Sequence, residues 1–328
     1  MIIDAHAHII PRSFPDATGF PRMIATERDD VRRLMFGRTD FLASAVFYTV
    51  DDRIAAMDAA GVDEEVLSPM PPLLNFSLGA AQGRDLFRYV NEMMSDVVVL
   101  GQGRIHGLGV VPLQDPDLAS AELARVAALG LRGVEVSSHV NGVPIGDARF
   151  VDFFREIARL GMSVFVHAMP RLDEVGLAED LRASVGVGIE GARGAASLIL
   201  GPVGAVCAHS RVTLSHAGGG LPAMLPRADY FWAHADPSTR SAEPPSVRAR
   251  RFVYDSMAFD PRTLRYVIDY LGADRIVLGT DFPAMERPER LDELLTAVDA
   301  SARERDLIGA ANARTFLGQA ARIPGSMR

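Results

Sequence analysis

Eight short runs, most of them continuously apolar, recur along this chain: Ile2–His8, Glu65–Pro69, Ile105–Val111, Gly133–Ser137, Ser163–His167, Val212–His216, Phe252–Ser256 and Ile276–Asp281. A strand covered on both faces has no polar face to alternate with, so such runs predict parallel strands. Helix-like stretches lie between them. Asp51–Met57 has acidic residues in its first turn, with Gly61 beyond its end; Leu118–Leu129 stops at Gly130; Phe150–Leu160 stops at Gly161; Pro261–Leu271 starts on a proline and stops at Gly272. These are ordinary helix start and stop signals. Strand and helix alternating eight times predicts an α/β fold, a (β/α)₈ TIM barrel, in a single domain over residues 1–328. A doubly wound sheet is the alternative topology.

Two long connections interrupt the alternation. Residues 12–50 follow the first strand and predict a lid or small insertion; Met169–Gly194 follows the fifth. Both leave from strand C-termini, the face on which barrel active sites lie. The tail Ala302–Leu317 predicts a last helix packed outside the barrel.

Composition removes several functions. The formal net charge is -8 with no basic stripe, which argues against nucleic acid as a partner. The longest apolar stretch, Ala195–Ala208, is broken by glycine and proline and is too short to span a membrane. No signal peptide is visible, and the single cysteine, Cys207, forms no internal disulfide, so the cytoplasm is expected. All 34 basic residues are arginine. Without lysine there is no Schiff base, no P-loop and no carboxylated lysine to bridge two metals.

The chemistry sits at strand ends. His6 and His8 are two apart on the first strand, where i and i+2 share a face. His167 and Asp281 end the fifth and eighth runs, and a barrel gathers such ends at one mouth. Together they form a nitrogen and oxygen ligand set for one divalent metal, zinc first, then manganese, cobalt or iron. Such an ion polarises a carboxylate or activates water. His216 ends the sixth run; it offers either a fifth ligand or, more usefully for an imidazole beside a metal, an acid/base group. Asp4 faces the side of His6 and His8 by alternation. His139, after the fourth run, is a candidate substrate contact, and Gly218-Gly219-Gly220 lets backbone approach the site. His106, His209 and His234 read as structural or surface residues. Gly186–Gly191 matches G-x-G-x-x-G, but a poor strand precedes it and residue 211 is arginine, so no dinucleotide site is expected.

The runs Asp4-Ala5-His6-Ala7-His8, Val166-His167, Ser215-His216-Ala217-Gly218-Gly219-Gly220 and Gly279-Thr280-Asp281-Phe282-Pro283 resemble the amidohydrolase superfamily. The likeness covers nearly the whole chain and is greatest to the 2-amino-3-carboxymuconate-6-semialdehyde decarboxylase branch. It implies one zinc-like ion on His6, His8, His167 and Asp281, with His216 handling the proton. It also implies that Arg227 reaches a substrate carboxylate, often across a homodimer. Two departures from the branch stand out: a second carboxylate-binding arginine falls at Leu42, and the tryptophan usual after the third ligand is absent in His167-Ala168-Met169. The expected activity is therefore a metal-dependent carboxy-lyase for an aromatic or unsaturated carboxylic acid, with His216 or Asp281 delivering the proton. The alternatives are a hydrolase of an amide or lactone and a non-catalytic small-molecule-binding barrel.

Overall fold

The computed structural model describes residues 1–37, 39–171, 177–207 and 210–319. The eight anticipated strands lie side by side in chain order. We number them β1 (Ile3–Ile9), β2 (Glu64–Pro69), β3 (Ile105–Gly109), β4 (Gly133–Ser137), β5 (Ser163–His167), β6 (Arg211–Leu214), β7 (Val253–Asp255) and β8 (Ile276–Val277). Each neighbouring pair is parallel. The ring closes where Ala5 N–H donates to Leu278 O and His8 N–H to Phe282 O, both at 2.8 Å. With helices between the strands this is a (β/α)₈ barrel, not a doubly wound sheet.

Local signals account for most helices. Asp115 caps Pro116–Ala128 by accepting from Leu118 N–H, and Asp260 caps Pro261–Leu271 by accepting from Thr263 N–H. Gly161, at φ 62°, ends Val151–Leu160 in the left-handed conformation that glycine adopts without strain. The 21-residue helix Ala80–Leu100 lies outside the stretches named above and starts at Gly79 with no side-chain cap. It is held by burial of Leu86, Phe87, Val90 and Met94, and by Asn91, which exchanges two 2.8 Å hydrogen bonds with the backbone of Val110.

The insertion after β1 is a three-stranded antiparallel sheet of Arg22–Ala25, Val31–Phe36 and Thr39–Ser44. Its Leu34, Phe36 and Ala43 join the main core. The chain's end does not simply pack outside the barrel. It is helical in three pieces, Ala302–Asp306, a π turn Leu307–Ala311, and Asn312–Phe316. Phe316 and Leu317 then cluster with the barrel residues Ile3, Val66, Leu108 and Phe165. Phe316 O accepts from Ser163 and Arg211 at the starts of β5 and β6, so the tail plugs the N-terminal mouth. That leaves the other mouth for the site.

Candidate metal centre and active-site cavity

The predicted ligands come together at the C-terminal mouth. His8 Nε2 is 2.9 Å from Asp281 Oδ1, His6 Nε2 is 3.6 Å from it, and His167 Nε2 is 3.8 Å from it. His6 and His8 face each other through Nε2 atoms 3.2 Å apart. The donor atoms of His6, His167, His216 and Asp281 all lie within 4.8 Å of one another. All of these side chains are buried, and Nε2 of His167 and of His216 have no hydrogen-bond partner. Buried polar atoms without partners are costly unless something else satisfies them. The donor set fits one divalent ion of the first transition row.

Asp255, at the end of β7, is the residue that sequence reasoning missed and the centre depends on. Its Oδ2 lies 2.6 Å from His6 Nδ1, which fixes the ring and directs Nε2 inward. The same carboxylate accepts the backbone N–H of His216 at 2.9 Å and of Ala217 at 2.8 Å. β6 therefore stops at Leu214, two residues short of His216. His216, Ala217, Gly218 and Gly219 follow with φ of 52°, 53°, 71° and 60°. At Gly219 a Cβ would come within 2.2 Å of Gly188 O, so only glycine permits this approach.

Glu135 was also missed. It is fully buried on β4, its Oε1 is 3.9 Å from His8 Nδ1, and burial raises its carboxyl well above the usual range. The signal was present as the lone charge in the run Gly133–Ser137. Ser68 Oγ sits 3.0 Å from the same His8 Nδ1. Asp4 departs from simple alternation. A register shift between Asp4 and Ala7 turns Ile3 and Ala5 into the interior cluster. Asp4 instead accepts from Thr280 Oγ1 at 2.5 Å and from Arg287 Nη2 at 3.0 Å. Arg287 also pairs with buried Glu65, which lies 3.7 Å from the buried Arg53. These groups brace the outside of the β1–β8 seam.

Burial, together with nearby His167 and His6, depresses the His216 imidazole to about 4. Burial likewise takes His8 down to about 3. Burial works against ionisation of Asp281, but the imidazoles of His167 and His8 beside it override this and hold the carboxyl below its usual range. At neutral pH the centre is thus a carboxylate among imidazoles, of which His8 and His216 are neutral, the protonation state that ligands and a proton acceptor require.

A cavity of about 830 Å³ opens above these residues, with His167, His216 and Asp281 on its floor. One wall comes from Asp180, Ala183, Ser184, Val187 and Gly188, in the excursion after β5. That segment holds the G-x-G-x-x-G match, which here lies in a π turn and the start of helix Val187–Leu200. Among the described residues of 12–50 none lines the cavity, and Leu42 is exposed on its antiparallel strand. His139 does not line it either; its Nδ1 accepts from Gly142 N–H at 3.2 Å in a short hairpin. Arg227 is exposed on helix Leu221–His234, its guanidinium 4.9 Å over the Phe231 ring. His106 pairs with Glu64 at 2.7 Å and His234 is exposed, while His209 lies outside the described residues.

A barrel with this strand-end constellation also matches the amidohydrolase family model over residues 3–319. The chain belongs to the amidohydrolase family. Amidohydrolases similar to it include the 2-amino-3-carboxymuconate-6-semialdehyde decarboxylase of Dictyostelium discoideum, 26% identical and covering 96% of this chain and 91% of that protein. The gamma-resorcylate decarboxylase of Rhodococcus jostii is 28% identical, covering 84% of this chain and 90% of that protein. Among solved structures, a Polaromonas dihydroxybenzoic acid decarboxylase with bound manganese and the inhibitor 2-nitroresorcinol superposes with a TM-score of 0.74 at 22% identity, over 97% of this chain and 96% of that one. The named relatives of this amidohydrolase are thus carboxy-lyases, and its cluster is a site for a single divalent metal.

Proposed function

We propose that the protein is a metal-dependent carboxy-lyase that removes CO₂ from an aromatic or unsaturated carboxylic acid. The observation that carries this is the convergence of buried, unpartnered imidazole nitrogens and a carboxylate on the floor of a large, otherwise apolar cavity. His6, His8, His167 and Asp281 hold the ion, zinc first; manganese, as in the Polaromonas relative, is the next choice. The ion supplies positive charge beside the carbanion-like transition state of decarboxylation. The C–C bond breaks, its electron pair stays on the ring carbon, and a proton closes the valence as CO₂ leaves. His216, its imidazole neutral at rest, takes that proton from water and delivers it to the carbon as a strong conjugate acid. Asp281 is the alternative donor.

The helix Leu221–His234 exposes Met224, Arg227, Tyr230 and Phe231 beside the cavity wall that Pro222 and Ala223 form. A homodimer that covers this face brings Arg227 of a second copy to the acid group, which its planar fork suits. The single buried cysteine fits a reducing cytoplasm. The test is a panel of acids incubated with metal-replete protein, with CO₂ and acid release measured separately. Metal-dependent CO₂ release, and near-total metal loss in His6→Ala/His8→Ala protein, is the expected result. Acid release without CO₂ would identify an amide or lactone hydrolase instead.

A further inference from the structure

Charge is distributed unevenly around the cavity. The chain has 34 basic residues, all arginine, yet among the described residues none lines it. Apart from His167, His216 and Asp281 on the floor, the only ionisable side chains on its walls among the described residues are Asp180 and the Tyr266 phenol. Tyr266 already donates its hydroxyl to Pro222 O at 3.1 Å. Within one chain an acid group on the substrate is therefore met favourably in one place, at the metal centre, and Arg227 of a second copy is proposed above to reach that same group. A second carboxylate would leave water for apolar walls and face Asp180, with no cation of its own chain to offset the cost.

The walls indicate what the rest of the substrate is. Met70, Met169, Met257 and Met285 all line the cavity. Methionine is flexible and polarisable and makes favourable sulfur contacts with aromatic rings. Phe259 stands at the rim, 76% exposed and at φ 59°. A bulky non-glycine residue in the left-handed region is strained, and such strain gathers at functional sites. Here it presents an aromatic face to whatever enters. Size points the same way. At about 830 Å³ the cavity lies toward the upper end of the roughly 300–1,000 Å³ usual for small-molecule sites.

Resting on the decarboxylase reading above, we infer that the substrate is a monocarboxylic acid whose body is an apolar aromatic system larger than one ring, bound with its carboxylate toward His167, His216 and Asp281 and its far end against Phe259. Four methionines then adapt to the ring faces, and Asp180 turns away dicarboxylates.

The test uses metal-loaded protein and two readouts. Binding is measured by equilibrium dialysis with one-ring, fused two-ring and biaryl monocarboxylic acids and with matching dicarboxylates; CO₂ release is measured on the same compounds. Two-ring monoacids should bind at least about tenfold tighter than one-ring acids, a modest return for the added apolar contact. Matching dicarboxylates should bind at least about tenfold weaker than their monoacids. Ala183→Arg, at an exposed wall position, should reverse the discrimination against the second acid group without changing metal content. One-ring hydroxy acids or dicarboxylates binding as tightly as two-ring monoacids, or no binding of any two-ring monoacid, overturns the inference while leaving CO₂ release from other acids possible. Tight binding of two-ring monoacids with no CO₂ released upholds the ligand class and overturns the decarboxylase reading.

Discussion

At His216 the backbone is left-handed, the ring is buried, and Nε2 has no partner. Such a residue is held by its surroundings for a purpose other than packing. If that purpose is proton transfer, His216→Asn keeps its metal and loses roughly 10²–10⁴-fold in turnover. Elemental analysis beside the rate measurement decides this, since loss of metal together with rate would make His216 a ligand. The depressed imidazoles also set the acid stability of the metal-free protein. His216 and His8 ionise near 4 and 3 when folded, but near 6.5 when unfolded. The unfolded chain therefore binds more protons in that window, and stability falls as pH drops from about 6.5 towards 3. His6 opposes this. Burial lowers its pKa, yet the Asp255 hydrogen bond and Asp281 more than restore it, so its contribution is present at low pH and lost as pH rises. The Glu135 and Asp4 carboxyls, raised by burial, oppose it as well. The comparison is therefore made between variants: urea midpoints of metal-free protein should fall less steeply from pH 7 to pH 4 in His216→Asn than in the unaltered protein, and identical slopes would show that the His216 ring is not desolvated as described.

Two local irregularities place these side chains, and neither is a regular strand. The register shift in β1 lets Ile3 and Ala5 fill the interior while His6 and His8 still reach the mouth. The break after β6 exists because one carboxylate, Asp255, accepts the N–H groups of His216, Ala217 and Met257 and also holds His6 Nδ1. Burial disfavours this carboxylate, but the His6 hydrogen bond keeps its pKa below the usual range. Asp255→Asn preserves shape but directs an amide N–H at backbone donors. Leaving one partner of a buried charged pair uncompensated costs about 3–5 kcal/mol. The expected result is a lower urea midpoint and reduced metal content in the same variant. Unchanged metal content at lowered stability would confine Asp255 to holding the loop and remove it from the centre.

For the whole molecule, the cavity is walled by the segment after β5 and by helix Leu221–His234, not by the antiparallel insertion. Arg227 is exposed outside its own cavity, so a role in acid recognition requires a second copy. Subunit complementation measures this. Arg227→Ala and His216→Asn proteins are each expected to be weak alone. Mixed after reversible dissociation, they form some dimers with one intact composite site, and activity should return to about a quarter of the wild-type level if each site takes its arginine from the neighbour and half the dimers are mixed. No recovery in verified mixed dimers would leave Arg227 as a surface residue stacked on Phe231.

The barrel and its metal-competent strand ends were legible in the sequence because both depend on local pattern. Buried parallel strands read as apolar runs, glycines and N-capping aspartates mark helix ends, and His6 and His8 share a face within one element. What the sequence left open depends on partners far apart along the chain. Asp255 meets His6 across 249 residues, and Asp4 meets Arg287 across 283. Glu135 stands out as the lone charge of its apolar run, but nothing local names His8 as its neighbour, and nothing around Phe316 announces that it plugs the barrel's base. The resemblance implied a role for Arg227, but its exposed helix face lies outside its own cavity, so that role requires another copy. Periodicity and capping act over a few residues, so they fixed the elements; hydrogen-bond satisfaction and packing act through space, so only the closed barrel decided which side chains meet.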